Sequence, residues 1–219
     1  MERILRLMQE KLIRGQRCML VTVLSRQDSA PRDAGAAMLL TEDGLIGGTI
    51  GGGAIEALAM DMAHRCLEQR RSLLRRFNLS KDAGMICGGA MALFFQFADD
   101  PLPLPGPGER GWLLTDIAAD GTWTARFTSQ LDHHPGQVAF DGRTLRCPIG
   151  QNMRVWIFGA GHVAQALSAL LQELDFDCVI LDDRESFACA ERFPNAAQVR
   201  VVDLSRLSLD ISANDAVCI

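Results

Sequence analysis

The spacing of apolar residues predicts helices and strands in the first half of the chain. Residues 4–12 carry apolar side chains at helical spacing, so we expect an amphipathic helix that ends near Gly15. The run CMLVTVL at 18–24 is apolar and rich in β-branched residues, which is typical of a buried strand. Further strands are predicted at 36–40, 45–46, 72–79 and 90–98, with a helix from residue 54 to about Gln69.

A Pro-rich stretch follows the last of these strands. Residues 99–109 hold four of the eight prolines, which predicts an extended linker. Beyond it, alternating residues around Asp120-Gly121 and around Asp141-Gly142 predict two hairpins. We therefore expect an N-terminal α+β domain over 1–98 and a linker with a small β-hairpin region over 99–151.

The last third of the chain has a β-α-β-α-β rhythm. Strands are predicted at 154–158, 177–181 and 198–202, and helices at 165–174 and 187–193. This rhythm predicts a parallel, doubly wound sheet over 152–219. A fourth strand begins at 215–219, where the rhythm stops, so we expect a truncated sheet or one that another molecule completes. An open sheet edge of this kind favours self-association, such as a dimer.

Composition and charge exclude several classes of protein. The 219 residues include 22 Lys and Arg against 27 Asp and Glu, a net charge of −5. The one short basic run, Arg70, Arg71, Arg75 and Arg76, is interpreted as a solvated face, so nucleic acid is not an expected partner. No stretch approaches the ~20 apolar residues of a membrane span, and the charged start does not fit a signal peptide. Seven scattered cysteines without a CxxC pair indicate free thiols in a reducing cytoplasm.

The sequence GAGHVA at 159–164 is the first candidate site. It lies between a predicted strand and a predicted helix, where Gly159 permits a tight turn and Gly161 permits a pyrophosphate to approach the backbone. His162 would begin the helix, as a structural or a chemical residue. Asp182 or Asp183 follows at about the 20-residue distance expected of an acid that binds a ribose hydroxyl. The site therefore predicts NAD(P) or another nucleotide as a ligand.

A second candidate is the glycine loop, residues 47–53 (GGTIGGG). Five of its seven residues are glycine, and a helix follows through Ala54 and Glu56. Glycines at a helix start permit positive φ and present backbone amides, which would suit a phosphate. A tightly packed turn with no ligand explains the same pattern, and the sequence leaves both interpretations open.

Cys87 is the third candidate, because Gly88 and Gly89 remove bulk from beside its sulfur. A thiol there would need a lowered pKa to react or to bind a soft metal, and an inert loop cysteine is the alternative. Arg32 follows Pro31 on a turn-rich loop, where it could hold a phosphate or a carboxylate with two hydrogen bonds or remain solvated. His133-His134 is interpreted as a surface turn.

Taken in order, these motifs resemble the XdhC/CoxI family over nearly the whole chain. The sequences SAPR at 29–32, GTIGGGAIE at 48–56 and CGG at 87–89 are similar to its N-terminal domain. The sequences GAGHVA at 159–164, DDR at 182–184 and RFP at 192–194 are similar to its Rossmann domain. The family has accessory proteins for molybdenum hydroxylases such as xanthine dehydrogenase. The resemblance implies a chaperone, not an enzyme with its own turnover.

The resemblance also implies partners and residue roles. Such a chaperone binds the molybdenum cofactor, protects it while a cysteine desulfurase supplies sulfur for a terminal oxygen, and inserts it into the hydroxylase apoenzyme. Arg32 and Gly51, Gly52 and Gly53 would lie near the pterin phosphate, with Glu56, Gly88 and Gly89 in the same cofactor-binding set. Cys87 would contact the molybdenum or the transferred sulfur.

The sequence departs from the family pattern at two points, and two other functions are considered. Ala54 stands where some relatives have cysteine, and the family's Rossmann domain continues beyond Ile219. The first alternative is an NAD(P)-dependent oxidoreductase built on the 159–164 motif, with Asp182 and Asp183 at the ribose. The second is an interaction partner of a hydroxylase that binds no small ligand.

Overall fold

The computed structural model forms two compact units, Met1–Gln151 and Asn152–Ile219. The residues described are 1–27, 32–84, 89–106, 109–130, 137–150, 153–174, 176–211 and 215–219. No helix in these ranges is both long enough and apolar enough to cross a membrane.

The first unit contains the helices and strands expected in the first half of the chain. Its helices are α1 (Glu2–Ile13), α2 (Gly53–Glu68) and α3 (Leu79–Ala83). Its strands are β1 (Cys18–Gln27), β2 (Ala37–Thr41), β3 (Gly44–Gly48), β4 (Leu73–Asn78), β5 (Ala90–Ala98), β6 (Gly111–Ile117), β7 (Trp123–Thr128), β8 (Ala139–Phe140) and β9 (Thr144–Ile149). The short helix α3 lies where the pattern predicted a loop, and the Asn78 side chain caps it by accepting from the Lys81 amide at 3.1 Å.

Five antiparallel strands form the first sheet, in the order β3-β2-β1-β5-β4. Helix α2 covers one face, where Ile55 and Ala59 are fully buried in a core with Val21 and Phe95. Because neighbouring strands run in opposite directions, β1, β3 and β4 end at the same edge at which β2 and β5 begin. The three loops that carry predicted site residues leave the sheet at this edge.

The second sheet, in the order β7-β6-β9-β8, packs into a core shared with α1. Leu113 and Ile149 from this sheet are buried together with Leu5 of α1. The Pro-rich segment, predicted to be a linker, is also packed against α1: the Leu102 backbone exchanges two hydrogen bonds with the Gln9 side chain, at 2.7 and 3.0 Å. The predicted hairpin region is therefore part of the first unit's core.

The second unit is a parallel sheet, as predicted. Its elements are β10 (Arg154–Phe158), α4 (His162–Glu173), β11 (Asp177–Asp182), β12 (Gln198–Val201) and β13 (Ala216–Cys218). The strand order β12-β11-β10-β13 is that of half a doubly wound nucleotide-binding fold.

The helix predicted at 187–193 is wrong. This segment is a series of turns, and two guanidinium groups lie over the Phe187 ring. The carbon atoms of these groups, on Arg184 and Arg192, are 3.8 and 4.9 Å from the ring centroid. These contacts, and Pro194 directly after the segment, favour turns over the helix that its apolar spacing suggested.

Candidate functional site

Strand pairing brings the loop that carries Arg32 next to the loop that carries Cys87. Gln27, the last residue of β1, pairs with Ala90, the first residue of β5, and Ala90 also pairs with Asn78 at the end of β4. Residues 28–31 and 85–88, including Cys87 and Gly88, lie outside the described residues. Their neighbours are described: Arg32 is exposed, and the Leu79 amide donates to the Gly89 carbonyl at 3.0 Å, which closes the cysteine loop at its base.

The glycine loop joins β3 to α2 at the same edge, and the carboxylate of Glu56 organises it. One oxygen, Oε2, accepts hydrogen bonds from the Thr49 hydroxyl, from the Ile50 amide at 2.9 Å and from the Gly52 amide at 3.0 Å. The Gly51 amide donates to Thr49 Oγ1 at 3.1 Å. Three of the amides that the sequence predicted for a phosphate therefore already have partners: those of Ile50 and Gly52 donate to Glu56 on α2, and that of Gly51 donates to Thr49.

The start of α2 remains open to a ligand. The first amides of a helix have no partner within it, and here they begin at Gly53. Gly52 and Gly53 have φ of +72° and +64°, and a Cβ at either position would meet no atom within 4 Å. Positive φ explains why glycine suits these positions, and the open space leaves room for an anion at the helix start.

Hydrogen bonding determines the charge state of Glu56. Burial by itself raises its pKa, but the hydrogen bonds from Thr49, Gly52 and Ile50 outweigh that effect, so the pKa is lowered. Glu56 is therefore ionised at neutral pH, where an oxygen that accepts three donors stabilises the loop most.

Replacing Glu56 with glutamine should loosen the glycine loop and lower the free energy of unfolding by about 1–2 kcal/mol at neutral pH. Because the folded pKa is lowered, the contribution of Glu56 is present above its unfolded pKa of about 4.3 and is lost as pH falls below it. Urea unfolding at several pH values measures this. Glu68→Gln, at an exposed position at the end of α2, is the matched control. An equal loss in both variants would contradict a special role for Glu56.

A shallow pocket of about 390 Å³ lies beside the base of the cysteine loop. Its walls come from the ends of β1, β4 and β5 and from α3: Gln27, Arg76, Phe77, Asn78, Asp82, Gly89 and Ala90. The Arg76 guanidinium donates to the Gln27 side-chain oxygen. From the sequence, Arg76 was interpreted as part of a solvated face. The pairing of β4 with β5 instead places it in the wall of a pocket.

The four cysteines that are buried within the described residues are unsuited to chemistry. Burial raises the pKa of Cys18 to about 11 and that of Cys147 to about 12. The pKa values of Cys66 and Cys178 are raised for the same reason. In the described ranges, no three His, Cys, Asp or Glu side chains come together as a metal site. Cys87 lies outside the described residues, so its reactivity stays a prediction.

In the second unit, the loop at 159–161 joins β10 to α4 as predicted. Gly159 has φ of +101°, and its amide donates to the Leu181 carbonyl at 2.7 Å. Gly161 precedes the first residue of α4, and His162 is exposed. A Cβ at Gly159 or Gly161 would meet no atom within 4 Å, so this helix start is also open.

Asp182 binds the protein itself. Its Oδ1 accepts from the Arg184 amide and from Arg184 Nε, both at 2.9 Å. Its Oδ2 accepts from the Ala160 amide at 2.7 Å and from Arg184 Nη2 at 2.9 Å. A carboxylate can accept about four hydrogen bonds, so these four leave Asp182 no lone pair for a ligand. Asp182 is also only 2% exposed. The arrangement disfavours Asp182 as a ribose ligand and leaves Asp183, which is exposed and lies 3.8 Å from Arg184 Nε, as the acid of the pair that a ligand can reach.

Arg192, for which the sequence predicted no role, also holds the 159–161 loop. Its Nη2 donates to the Ala160 carbonyl at 3.3 Å and to the Gln165 side-chain oxygen at 3.0 Å. Ala160 is thus held through its amide by Asp182 and through its carbonyl by Arg192. In the sequence, the DDR motif at 182–184 and the RFP motif at 192–194 were the features that could have indicated these two contacts.

The fold and the two loops define a class of protein: a mixed α/β unit with an open helix start, followed by a parallel unit of the dinucleotide-binding type. Residues 12–78 match the model of the XdhC and CoxI family, and residues 155–219 match the XdhC Rossmann domain. The two matched stretches together make up more than half of the chain. The protein belongs to the XdhC and CoxI family, and this membership supports an accessory role.

The proteins similar to this chain include a sequence relative and a solved structure. Over 76 residues it is 34% identical to the uncharacterised protein YqeB of Escherichia coli strain K12, a match that covers 33% of this chain and 14% of YqeB. Its fold is similar to that of a crystal structure described as a xanthine dehydrogenase from Bacillus halodurans, with a TM-score of 0.71 and 20% identity. That likeness covers 97% of this chain and 73% of the other, and it concerns the fold alone.

Proposed function

We propose that this protein binds the molybdenum cofactor as cargo, holds it while its sulfur is installed, and passes it to the apoenzyme of a molybdenum hydroxylase. A cysteine desulfurase is the second partner that this role requires. The role belongs to the cytoplasm, and the protein consumes none of the cargo itself. Family membership supports the accessory role, and the rest of the proposal depends on the edge of the first sheet.

One observation carries the proposal: strand order brings the open start of α2 and the bases of the Arg32 and Cys87 loops to the same sheet edge. A phosphate-bearing metallopterin needs an anion site and a soft ligand within one molecule's length. The amides that begin at Gly53 supply the first, because a helix start attracts negative charge. The Cys87 thiol would supply the second, because sulfur suits soft metals.

The glycine loop is well suited to cargo that must be released. Glu56 holds the loop in place before any ligand arrives, so binding orders little additional backbone. Its negative charge also lies next to the proposed phosphate position, which limits how tightly an anion is held. A transfer protein requires this combination of a preformed site and moderate affinity.

The oxidoreductase alternative receives less support. In a dinucleotide site of this fold, the acid at the end of the second strand binds the ribose. Here the Asp182 carboxylate already accepts four hydrogen bonds, from the Ala160 amide and from Arg184. Nucleotide binding at the 159–161 loop would depend on Asp183 and on the open start of α4.

Pterin retention tests the proposal. The full chain, isolated from cells supplied with molybdate, should carry a pterin that fluoresces after oxidation. Cys87→Ser should reduce the pterin per protein by about tenfold, because a hydroxyl is a poor ligand for a soft metal. Cys189→Ser, at a half-buried cysteine in the second unit, is the matched control and should retain the wild-type amount.

The outcomes distinguish the cofactor chaperone from the two alternative functions. Equal pterin in both variants would remove Cys87 from the site. No pterin in any preparation, despite binding to a hydroxylase apoenzyme, would favour the interaction partner without a small ligand. Bound NAD(P) without pterin would favour the oxidoreductase.

A further inference from the structure

Strand β4 is an edge strand of the first sheet, and it has an unpaired side. Along its length it pairs only with β5 among the described strands. The Leu79 amide points towards β5, where it donates to Gly89, whereas the Asn78 amide donates to the Asp82 side chain. Because an antiparallel ladder alternates, the backbone N–H and C=O groups of Leu74 and Arg76 face outwards. An unpaired edge of this kind can accept another strand.

Four arginines surround this edge without counter-charges. Arg70 and Arg71 lie in the turn before β4, and Arg75 and Arg76 lie on the strand. Within the part of the chain described, none of the four has a carboxylate oxygen within the 4.0 Å that defines an ion pair. Other arginines of the same unit, such as Arg17 and Arg126, do have such a partner.

The contacts that these arginines do make leave their charges uncompensated. Arg75 lies over the Phe77 ring at 5.0 Å, and Arg76 donates to the neutral Gln27 side chain. Two carboxylates line the pockets at the ends of β4 and keep their own negative charge: Asp82 accepts from the Asn78 amide at 2.7 Å, and Asp120 accepts from Thr122. Four arginines against these two carboxylates leave the edge positive in a chain whose net charge is −5.

Shallow pockets flank β4 at both ends. The pocket that Arg76 and Asn78 line lies at its end. A second pocket, of about 430 Å³, lies at its start and is lined by Arg70, Arg71 and Ser72 among others. A chain laid along β4 would have room for its side chains at either end.

We propose that β4 binds an extended acidic segment of a partner protein by strand addition. Arg75 and Arg76 are consecutive, so their side chains lie on opposite faces of the sheet. The complementary segment therefore carries two consecutive acidic residues, one for each face. Main-chain hydrogen bonds would supply part of the affinity and the two charges the selectivity. This proposal does not depend on the identity of the cargo.

Binding of an end-blocked, dye-labelled octapeptide, Thr-Val-Thr-Glu-Glu-Thr-Val-Thr, tests it by fluorescence anisotropy on the full chain. We expect saturable binding that weakens as salt is added. Arg75→Glu combined with Arg76→Glu should raise Kd at least about tenfold. Arg3→Glu combined with Arg206→Glu changes the net charge equally at exposed positions elsewhere and should leave Kd unchanged.

Two further probes separate strand addition from simple charge attraction. The same peptide with alternate backbone nitrogens methylated keeps its charges but cannot form the ladder, and it should lose most of its affinity. Arg75→Gln combined with Arg76→Gln removes the charges without reversing them and should weaken binding by a smaller factor, with unchanged thermal unfolding. Equal binding of a peptide with Lys-Lys at its centre, full binding of the methylated peptide, or no binding at low salt would each overturn the proposal.

Discussion

Replacing Gly48 with alanine should destabilise the first unit by about 3–4 kcal/mol, a large effect for a single methyl group. Gly48 ends β3 with φ of +81°, where a residue with a side chain is strained. A Cβ there would lie 2.2 Å from the Ala37 carbonyl oxygen, which is backbone and cannot turn away. That same oxygen accepts from the Thr49 amide at 2.9 Å, so relieving the clash would also displace the glycine loop.

Urea unfolding followed by circular dichroism measures the effect. Gly15→Ala is the matched control, because Gly15 also has a positive φ, +75°, but a Cβ there would meet no atom within 4 Å. The control should cost about 1 kcal/mol for the backbone conformation alone. If the two variants lose the same stability, β2 and β3 are not as close at this edge as described.

Replacing Asp182 with alanine should lower the stability of the second unit by about 2–3 kcal/mol at neutral pH. The change removes the acceptor of the Ala160 amide, and Ala160 is fully buried, so that amide would have no partner. It also removes the two side-chain bonds to Arg184, whose exposed guanidinium can return to water at little cost. The buried amide therefore accounts for most of the loss.

The pH dependence identifies the source of this stability. Hydrogen bonds from the Arg184 side chain hold the pKa of Asp182 well below its usual range. The contribution is therefore complete above the unfolded pKa of about 3.9 and is lost as pH falls below it. The gap between wild type and Asp182→Ala should narrow in acid. Asp183→Ala, at the exposed neighbour, should stay within about 0.5 kcal/mol of wild type at every pH.

Much of the fold followed from local patterns. Residues a few positions apart create the periodic patterns that predicted helix α1 and strands β1 to β5. The same kind of pattern predicted the parallel sheet of the last third. The failures have equally local causes. Helix α3 has only five residues and depends on the cap by Asn78, and the turns at 187–193 depend on two arginines stacked on Phe187.

The site was less predictable because its contacts are not local. The sequence indicated a glycine loop but did not show that Glu56 occupies three of its donors. It offered Asp182 and Asp183 as equivalent acids, and only the packing of β10 beside β11 separates the buried one from the exposed one. Arg76 was missed because the pairing of β4 with β5, which no local pattern reveals, brings it to a pocket.

Pterin retention in a matched pair of glycine variants tests whether the first unit holds the cargo. Gly53 begins α2 and Gly161 precedes α4, and a Cβ at either position would meet no atom within 4 Å. Gly53 has φ of +64°, which aspartate adopts more readily than most residues with a side chain, so aspartate is the substitution chosen for both positions. Each substitution places a carboxylate where an anion would bind. If the first unit holds the cargo, Gly53→Asp should carry about tenfold less pterin than wild type, and Gly161→Asp should carry the wild-type amount. Loss of pterin from Gly161→Asp alone would show that the cargo binds at the second unit instead of the first.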